Sequence, residues 1–551
     1  MFETPNPTPH MLRITGNARE MGRSHGMYAK ERGALATVQF FGDFLNRVLS
    51  FQVQGEFERW SRHTAASFLR HTVERHFVDQ IPARYREEVE GFSEGSGLDL
   101  DLLLRAYVMP DVLAFLVGSR YRYLTHGVSV PTPTGCSAFV AFDHGATAAP
   151  FFLHARNLDY IGGDLWSGAP AVIEYVPGDG QRYVSVTSLG IDTAGVTAMN
   201  EAGLTLSLNM NYSTAVSTGG TPVVAIGHEV LRRARSLKEA VEILNRFPRS
   251  AGWSFLVASH RERNAVVVEC DATSLSVRAA KAGRIVATNH FHDPQLRRYE
   301  YWTTKGRGID SQSRYERIHR LLEDHEGTLT VSRTMEILSD THDLSLGRER
   351  AFGFVPCQVH TVASVIFEPL DNRVYVANGP APVSESDFAG FEVFPGPFQR
   401  SPLLARPPKT THNHARREYA LAYQAYFPSQ DLVKATDHLE KAVALDPEQS
   451  LYWIMLALVQ AQRGRFSEAA TAFRRADLSP ETDYRKAQIA LQGGRILDLL
   501  GDRGEALGFY RRALEEESLH SAARKGLKKS WSPKEARRLL LDFTLGEAIE
   551  N

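Results

Sequence analysis

One cysteine in this 551-residue chain has neighbours that would make it reactive. Cys136 follows Gly135 and opens the apolar run 137–142, and a second apolar run leads into Arg156 and Asp159. A thiol is a good nucleophile only when it is largely ionised, which takes a nearby base or positive charge. If the chain were cut after Gly135, the new α-amine of Cys136, with a pKa of roughly 7.7 to 8.0, would be a base matched to neutral pH. The chemistry predicted here is acyl transfer with nucleophile and base in one residue.

The residues around this cysteine allow a structural and a catalytic interpretation. A free cysteine is most often a small buried apolar residue. Arg156 and Asp159, three residues apart, also have the spacing of a surface ion pair of small energetic value. Gly135, however, lacks a Cβ and can take the strained backbone that attack of the thiol on the preceding carbonyl requires. Cys136 also lies at the junction of a helical stretch and a strand-rich region, which favours catalysis.

The pattern Gly-Cys-Ser at 135–137, followed by Arg-Asn-Leu-Asp at 156–159, resembles the N-terminal-nucleophile (Ntn) hydrolases. Within them it is similar to the acyl-coenzyme A:6-aminopenicillanate acyltransferase family, with choloylglycine hydrolase and penicillin V acylase as more distant relatives. The resemblance covers roughly residues 10 to 395. It implies a zymogen that cleaves itself autocatalytically between Gly135 and Cys136. The mature protein would be a cysteine amidohydrolase or acyltransferase that acts on a small amide or thioester through a Cys136 thioester.

The same resemblance implies roles for further polar residues. Arg156 would favour the thiolate, and Asp159 would hold the α-amine. Asn289 falls in a Thr-Asn-His-Phe phrase in which the family has the amide that donates to the oxyanion. Loss of such a donor typically costs ~10² to 10³ in rate, although an asparagine in a strand-end turn is common for structural reasons. Asn209 aligns with a second oxyanion donor, and Asn211 competes with it for that role.

Two further candidates have weaker patterns. Arg314 resembles the arginine that opens a helix in these relatives and helps order the site, but a solvated arginine at a helix start has the same pattern. Cys357 and His360 form a rival nucleophile–base pair. Their spacing would place the two side chains on opposite faces of a strand, so we expect a structural role for them. A Cys-His hydrolase that uses this pair is an alternative function.

Composition and charge exclude several classes of partner. The 63 basic and 64 acidic residues nearly balance, which does not favour nucleic acid or an acidic membrane surface. Three cysteines are too few for a disulfide framework and indicate a reduced compartment. Residues 1–7 lack the features of a signal peptide, and no apolar run of eighteen residues occurs, so we expect a cytoplasmic protein without a membrane span.

No metal or other cofactor is expected. Two His-x-His pairs, His290 with His292 and His412 with His414, lack a third ligand at a recognised spacing. There is also no HExxH motif and no glycine-rich phosphate-binding motif.

Residues 1–135 are predicted to be mainly helical. Apolar positions at helical spacing run from Glu20 through Phe44, and a second amphipathic pattern covers 82–92. The glycine-containing phrases at 16–22 and 91–97 resemble the pro-segment that the family keeps ahead of its nucleophile. Residues 1–135 would therefore be a pro-segment or, after cleavage, a small subunit; a helical domain without a role in processing is the alternative.

Residues 136–395 change to short β-rich runs broken by glycine turns, with helices inserted in blocks. This order, without strict βαβ alternation, predicts an α+β fold with antiparallel sheets. The resemblance implies the four-layer αββα sandwich of the Ntn hydrolases. Loops at 160–168 and 212–221 are expected to wall the substrate pocket, in which Trp166 and Tyr212 indicate an apolar or aromatic acyl group on a small-molecule amide.

A linker rich in proline and basic residues, 396–412, leads to a third region, 413–551, with an internal repeat. A small-large-small pattern recurs with shifts of 34 residues from Ala435 to Ala469 and 37 from Ala469 to Ala506. The repeated positions are Ala435, Leu439, Ala442 and Pro447, then Ala469, Phe473, Ala476 and Pro480, then Ala506, Tyr510 and Ala513. The pattern resembles tetratricopeptide repeats (TPR), which stack paired helices around a shared core; an irregular helical bundle is the alternative.

A repeat array of this kind predicts either a protein partner or self-association. It also leaves an alternative function open, a catalytically inactive Ntn-like protein that acts as a TPR adaptor. The joint presence of Cys136, Arg156, Asp159 and Asn289 favours the enzyme.

Overall fold

The computed structural model describes residues 9–46, 64, 66–119, 135–143, 150–160, 163–190, 195–394, 398–401, 411–427, 429–517 and 521–549. Within these residues the chain is a mixed α/β protein with a helical N-terminal region, two large β-sheets and a helical C-terminal region. None of the described helices combines the length and apolar composition that a membrane crossing requires.

The N-terminal region contains one strand followed by helices. Its elements are β1 (His10–Gly16), α1 (Ala18–Glu31), α2 (Ala36–Gly42), a π-helical turn (Arg70–Glu74), α3 (Arg75–Asp79), α4 (Ala83–Ser96) and α5 (Leu100–Gly118). The helical run predicted from Glu20 to Phe44 is divided by a turn at 32–35. Strand β1 was not predicted in this helical region, because the strand with which it pairs among the described residues begins at Pro170, far along the chain.

Helices α1 and α4 approach until their backbones touch, which explains the glycine-containing phrases of this region. A Cβ on Gly22 would lie 1.9 Å from the Glu88 carbonyl oxygen, and a Cβ on Gly91 would lie 2.0 Å from the Arg19 carbonyl oxygen. One turn further along each helix, Gly26 and Gly95 meet the opposite backbone in the same way. Side chains at these positions would force the two helices apart.

The central region holds most of the strands. In chain order they are β2 (Gly135–Phe142), β3 (Phe152–Asp159), β4 (Pro170–Pro177), β5 (Tyr183–Ser188), β6 (Thr197–Asn200), β7 (Leu204–Met210), β8 (Trp253–Ser259), β9 (Asn264–Cys270), β10 (Leu275–Ala279), β11 (Arg284–Ala287), β12 (His342–Asp343), β13 (Arg348–Glu349), β14 (Thr361–Glu368), β15 (Arg373–Asn378), β16 (Asp387–Glu392) and β17 (Gln399–Arg400). Its helices are α6 (Gly163–Ser167), α7 (Val223–Arg233), α8 (Leu237–Arg246), α9 (Pro294–Arg297), α10 (Lys305–Asp324) and α11 (Val331–Leu338), with a 3-10 turn at Val383–Glu385.

These strands form two main sheets and a short hairpin, β12 with β13. One sheet has eight strands in the order β1-β4-β5-β6-β7-β8-β9-β10, and the other has seven in the order β11-β2-β3-β14-β15-β16-β17. Neighbours in both sheets are antiparallel, except that β1 pairs with β4 in parallel. The N-terminal region thus joins the central region through its own edge strand.

The two sheets meet through a buried histidine. His154 on β3 makes hydrogen bonds to Thr205 (2.7 Å) and Ser207 (2.9 Å) on β7. Helix α7 packs against β6 and β7, whereas α10 packs against β2 and α11 against β3. The antiparallel sheets and inserted helices agree with the predicted α+β class; the finer αββα sandwich stays a prediction from the resemblance.

The C-terminal region is an array of helices that ends in a β-hairpin. The helices are α12 (Thr411–Tyr426), α13 (Leu432–Leu445), α14 (Ser450–Gln462), α15 (Phe466–Asp477), α16 (Asp483–Leu500), α17 (Arg503–Glu516), α18 (Ser521–Lys528) and α19 (Pro533–Arg538), and the hairpin strands are β18 (Leu540–Asp542) and β19 (Glu547–Ile549). We call α12–α18 the helical array and residues 540–549 the hairpin. Helices pack as the pairs α12/α13, α14/α15 and α16/α17, and the repeated alanines are fully buried. The assignment to TPR stays a prediction.

Candidate active site

Cys136 and Arg156 lie side by side on two paired strands. In the β2–β3 register Ala138 is opposite Arg156, so Arg156 points to the same face as Cys136, two residues away on β2. Arg156 Nη2 donates to Cys136 Sγ at 3.3 Å. Cys136 is 3% exposed and Arg156 is 1% exposed. A guanidinium at this distance places a positive charge next to the sulphur.

Arg156 is held in place by the neighbouring sheet. Its Nη1 donates to the Val196 carbonyl oxygen and, at 2.8 Å, to Thr197 Oγ1, and its Nη2 donates to the Leu208 carbonyl oxygen. These acceptors are neutral, so they orient the guanidinium without cancelling its charge. The positive charge therefore stays available to the sulphur.

Asn289 and Arg314 hold the backbone of Cys136. The Cys136 N–H donates to Asn289 Oδ1 at 2.9 Å, and Arg314 Nη1 donates to the Cys136 carbonyl oxygen at 2.7 Å. Arg314 Nη2 also donates to Asn289 Oδ1 at 2.8 Å. The two side chains thus bind the peptide groups before and after the nucleophile, and each other.

The amide nitrogens of the predicted oxyanion residues have backbone partners in this uncut chain. Asn289 Nδ2 donates to the Met210 carbonyl oxygen at 2.8 Å. Asn209 Nδ2 donates to the carbonyl oxygens of Ala287 (2.9 Å) and Thr288 (3.1 Å). Asn211, the competitor of Asn209, donates to Ser254 Oγ. The geometry gives Asn289 a role as acceptor for the Cys136 N–H, and the oxyanion role stays a prediction from the resemblance.

Asp159 lies beside the predicted cleavage site. It is paired with Gly135 across β2 and β3, and its Oδ1 accepts from Thr361 Oγ1 at 2.6 Å. A Cβ on Gly135 would come within 3.0 Å of Asp159 Oδ2. Gly135 is in extended strand conformation, so the structural reason for glycine is this close approach. The strained backbone expected for attack of the thiol stays a prediction.

Burial shapes the chemistry of Asp159. The residue is fully buried, and desolvation raises the pKa of its carboxyl group to about 7, although Arg314 and the Thr361 hydrogen bond oppose the shift. Its Oδ2 has no hydrogen-bond partner among the described residues. A carboxyl group that titrates near neutral pH is suited to accept and return a proton.

Arg314 lies inside a helix, and the expectation of a helix-start position was wrong. Helix α10 begins at Lys305, so Arg314 is in its middle, and it is 1% exposed. One turn earlier, Asp310 Oδ2 accepts from Arg314 Nε at 3.0 Å. Sequence reasoning did not identify Asp310, although its position four residues before Arg314 on a helix was a usable signal.

An apolar pocket opens onto Cys136 and Arg156 and is walled largely by the N-terminal region. The lining residues from that region include Gly22, His25, Val38, Phe41, Val89, Phe92, Leu103, Tyr107 and Met109. Of the two predicted substrate contacts, Trp166 is among the described residues that line the pocket and Tyr212 is not; Tyr212 packs against Trp302. The expected segment 160–168 contributes Tyr160 and Trp166, the latter from helix α6, whereas none of the described lining residues comes from 212–221.

The rival pair, Cys357 and His360, is buried in a different setting. Cys357 Sγ lies 2.9 Å from Arg416 Nη2 and 3.2 Å from Ser384 Oγ, and burial raises the pKa of its thiol to about 12. His360 Nδ1 lies 3.1 Å from Thr544 Oγ1. Both residues precede β14 in a bend and turn, so the strand spacing argument does not apply to them. The raised pKa disfavours Cys357 as a nucleophile at neutral pH.

The histidine pairs form no metal site in the described part of the chain. The rings of His290 and His292 are 4.7 Å apart, but no group of three or more His, Cys, Asp or Glu residues that could hold a metal is found there. The side chain of His412 lies outside the described residues.

Comparison with known proteins links the central region to one family. Residues 155–380 match the family described as acyl-coenzyme A:6-aminopenicillanic acid acyl-transferase. The match starts after Cys136 and includes Arg156, Asp159, Asn289 and Arg314. It supports a relationship to Ntn-like acyltransferases and hydrolases.

Other comparisons add little. No curated protein matches the chain. Among solved structures, the N-terminal domain of stress-induced protein-1 (STI-1) from C. elegans matches 22% of this chain and 100% of that domain, with 22% identity and a TM-score of 0.20.

Proposed function

We propose that this protein is a self-processing cysteine amidohydrolase or acyltransferase whose nucleophile is Cys136. The observation that carries the proposal is the Arg156 guanidinium 3.3 Å from the Cys136 sulphur, in the lining of an apolar pocket. The family match over 155–380 supports the same reaction class. Fold alone does not define a reaction, so the proposal rests on the site.

Maturation begins in the uncut chain. The Cys136 thiol, beside Arg156, passes its proton to a water molecule, and the thiolate attacks the carbonyl carbon of Gly135. The C–N bond to Cys136 then breaks, the nitrogen receives the proton, and Gly135 is held as a thioester. Water hydrolyses this thioester, which frees the Gly135 carboxylate and the Cys136 thiol. Arg314 and Asn289 support the step because they hold the backbone C=O and N–H of Cys136.

Turnover uses the α-amine that this cleavage creates. The amine accepts the thiol proton, and the thiolate attacks the acyl carbonyl of the substrate. The amine then returns the proton to the leaving nitrogen, and the acyl group stays on Cys136 as a thioester until water or a second amine accepts it. Asn289 Oδ1, the acceptor of the Cys136 N–H in the uncut chain, is positioned to orient the new amine.

The pocket supports an apolar acyl group as the part of the substrate that is bound. Its walls carry aliphatic and aromatic side chains, including Trp166, Phe41 and Phe92. Because α1, α2, α4 and α5 supply much of this wall, the N-terminal region should stay bound after cleavage as a small subunit. Removal of that region would expose the pocket to water.

Intact mass and N-terminal sequencing of the purified protein test the proposal, with a Cys136→Ala variant in parallel. We expect a chain that begins Cys-Ser-Ala-Phe, together with a fragment that ends at Gly135, in the wild type only. A single uncut chain in both, after incubation at neutral and alkaline pH, would overturn self-processing at Cys136. The adaptor function, or the Cys357 hydrolase, would then be the better account.

A further inference from the structure

The hairpin lies on the helical array, where it contacts the first helix of each pair. Tyr419 of α12 donates its hydroxyl proton to the Phe543 carbonyl oxygen at 2.6 Å, and the Leu541 N–H donates to the hydroxyl oxygen of Tyr426 at 3.2 Å. From α16, Arg485 Nη1 donates to the Leu545 carbonyl oxygen. The hairpin's backbone is therefore bound by side chains of the array.

Apolar contacts complete this binding. Phe543 is 2% exposed, and its ring packs against Tyr419, Tyr423 and Tyr426 with centroid distances of 5.5, 5.7 and 5.1 Å. Close packing continues at the turn, where a Cβ on Gly546 would lie 2.6 Å from a methyl carbon of Leu451 on α14. The hairpin thus contacts the first helix of all three pairs.

The opposite side of the hairpin contacts the central region. Asp542 forms a buried ion pair with Arg307 of α10, with 2.6 Å between the carboxylate oxygen and the nitrogen. A Cβ on Gly306, in the first turn of α10, would lie 2.7 Å from Glu547 Oε1. Thr544 touches the loop before β14, where its hydroxyl lies 3.1 Å from His360 Nδ1. Both strands of the hairpin therefore meet the start of α10.

Helix α10 connects these contacts to the nucleophile. Asp310 lies one turn after Arg307, and its Oδ1 accepts from the Phe354 N–H at 2.7 Å while its Oδ2 accepts from Arg314. Arg314 in turn holds the Cys136 carbonyl oxygen. Helix α10 thus contacts the hairpin at its first turn and the backbone of Cys136 through Arg314 at its middle.

We infer that the helical array binds the chain's own hairpin as its ligand, and that this contact positions α10 and Arg314 beside Cys136. The array then serves the site of the same chain, and its hairpin-binding face is closed to other peptides while the hairpin is bound. Separation would expose the buried Phe543 ring to water and break the hairpin's hydrogen bonds to Tyr419 and Tyr426, so the contact is built to persist. The inference does not depend on the proposed reaction.

Hydrogen–deuterium exchange of the full chain tests the positioning role. Phe543→Ala should weaken hairpin binding and speed the exchange of α10 amides at 309–322 by about tenfold. Tyr419→Phe, which removes one hydrogen bond to the hairpin and keeps the ring, should give about threefold. Strands β8 and β9 should exchange at unchanged rates in both variants, which shows that the fold is intact. Leu478→Ala, at a side chain that is 78% exposed on the array, is the matched control and should change nothing.

A labelled synthetic peptide with the sequence of 539–549 tests whether the bound hairpin closes the hairpin-binding face of the array. It should bind the Phe543→Ala protein and fail to bind the wild type. The inference is overturned if the wild type binds the peptide readily. It is also overturned if hairpin exchange rises in Phe543→Ala and Tyr419→Phe while α10 exchange stays unchanged.

Discussion

The N–H of Cys136 donates to Oδ1 of Asn289 at 2.9 Å, so the residue predicted to supply an oxyanion donor presents its acceptor atom to the nucleophile. Asn289→Asp keeps an acceptor at this point and removes the amide donor. We expect self-cleavage within about threefold of wild type, since the bond to Cys136 remains. Turnover of a substrate should fall by ~10² to 10³ if the amide later serves the oxyanion.

Separate measurement of the two steps decides between the roles of Asn289. Appearance of the fragment beginning at Cys136 follows self-cleavage, and release of the acyl product follows turnover. Asn289→Leu, which has neither acceptor nor donor, is the control and should lose both. Unchanged turnover in Asn289→Asp would remove the oxyanion role.

Asp159 should make self-cleavage depend on pH near neutrality. Burial raises the pKa of its carboxyl group to about 7. Asp159 lies beside Gly135, and only its carboxylate would stabilise the positive charge of the amine that leaves Gly135, so the rate of self-cleavage should rise as pH increases through about 7. Fragment formation from freshly purified precursor, followed by gel between about pH 5.5 and 8.5, measures this rate. Asp159→Asn should cleave slowly at every pH, and a wild-type profile that falls with pH would contradict the assignment.

The same group should lower stability as pH rises. The pKa of Asp159 is higher in the folded protein than the value of about 3.9 for a free side chain, so the folded state holds this proton more tightly than the unfolded chain. Its contribution is therefore present below about pH 4 and lost as pH increases through about 7. In the uncut Cys136→Ala background, Asp159→Asn should raise the melting temperature more at pH 8 than at pH 5.

Arg156 should control the reactivity of Cys136 toward alkylation. Arg156→Gln removes the charge beside the sulphur, and we expect iodoacetamide to modify Cys136 at least about tenfold more slowly at pH 7. Arg156→Lys retains the charge and should stay closer to wild type, although it cannot reproduce the guanidinium's set of hydrogen bonds. A Cys270→Ser, Cys357→Ser background restricts the signal to Cys136. Equal rates in all three proteins would show that the guanidinium has only a structural role.

Replacing a helix glycine by alanine should lower the free energy of unfolding at Gly91, between α1 and α4, and raise it at Gly508 of α17. Gly91→Ala places a Cβ 2.0 Å from the Arg19 carbonyl oxygen, so it should destabilise the protein by about 1–3 kcal/mol. Gly508→Ala, also within a helix but with open space around the new Cβ, should stabilise by about 0.5–1 kcal/mol. Urea unfolding of both variants checks the prediction. Equal shifts would mean that helix propensity outweighs packing at Gly91.

Local patterns and long-range pairing explain what the sequence could predict about this site. The apolar runs at 136–142 and 152–159 are found as strands β2 and β3, so a sequence reader can place Cys136 and Arg156 on strands. Their contact depends on register, which alternation alone does not fix. Strand β1 was missed for a related reason, because its partner β4 is distant in sequence. The hairpin was also missed, since its strands Leu540–Asp542 and Glu547–Ile549 are only three residues long and pack against the array.

The pocket wall should set the size of the acyl group. Val89 of α4 lines the pocket and is 6% exposed, so Val89→Phe fills space that the acyl group would occupy. For the largest acyl group accepted by the wild type, kcat/KM should fall by about 10- to 200-fold, whereas a short acyl group should lose little. Val433→Phe, at a side chain that is 55% exposed on the array, is the matched control and should leave both values unchanged. If Val89→Phe lowered kcat/KM equally for short and long acyl groups, the residue would act through the fold, and the acyl group would have to bind elsewhere. A selective loss would instead mean that α4 lines the substrate site of the mature protein, which requires the N-terminal fragment to remain bound after Gly135 is cut from Cys136.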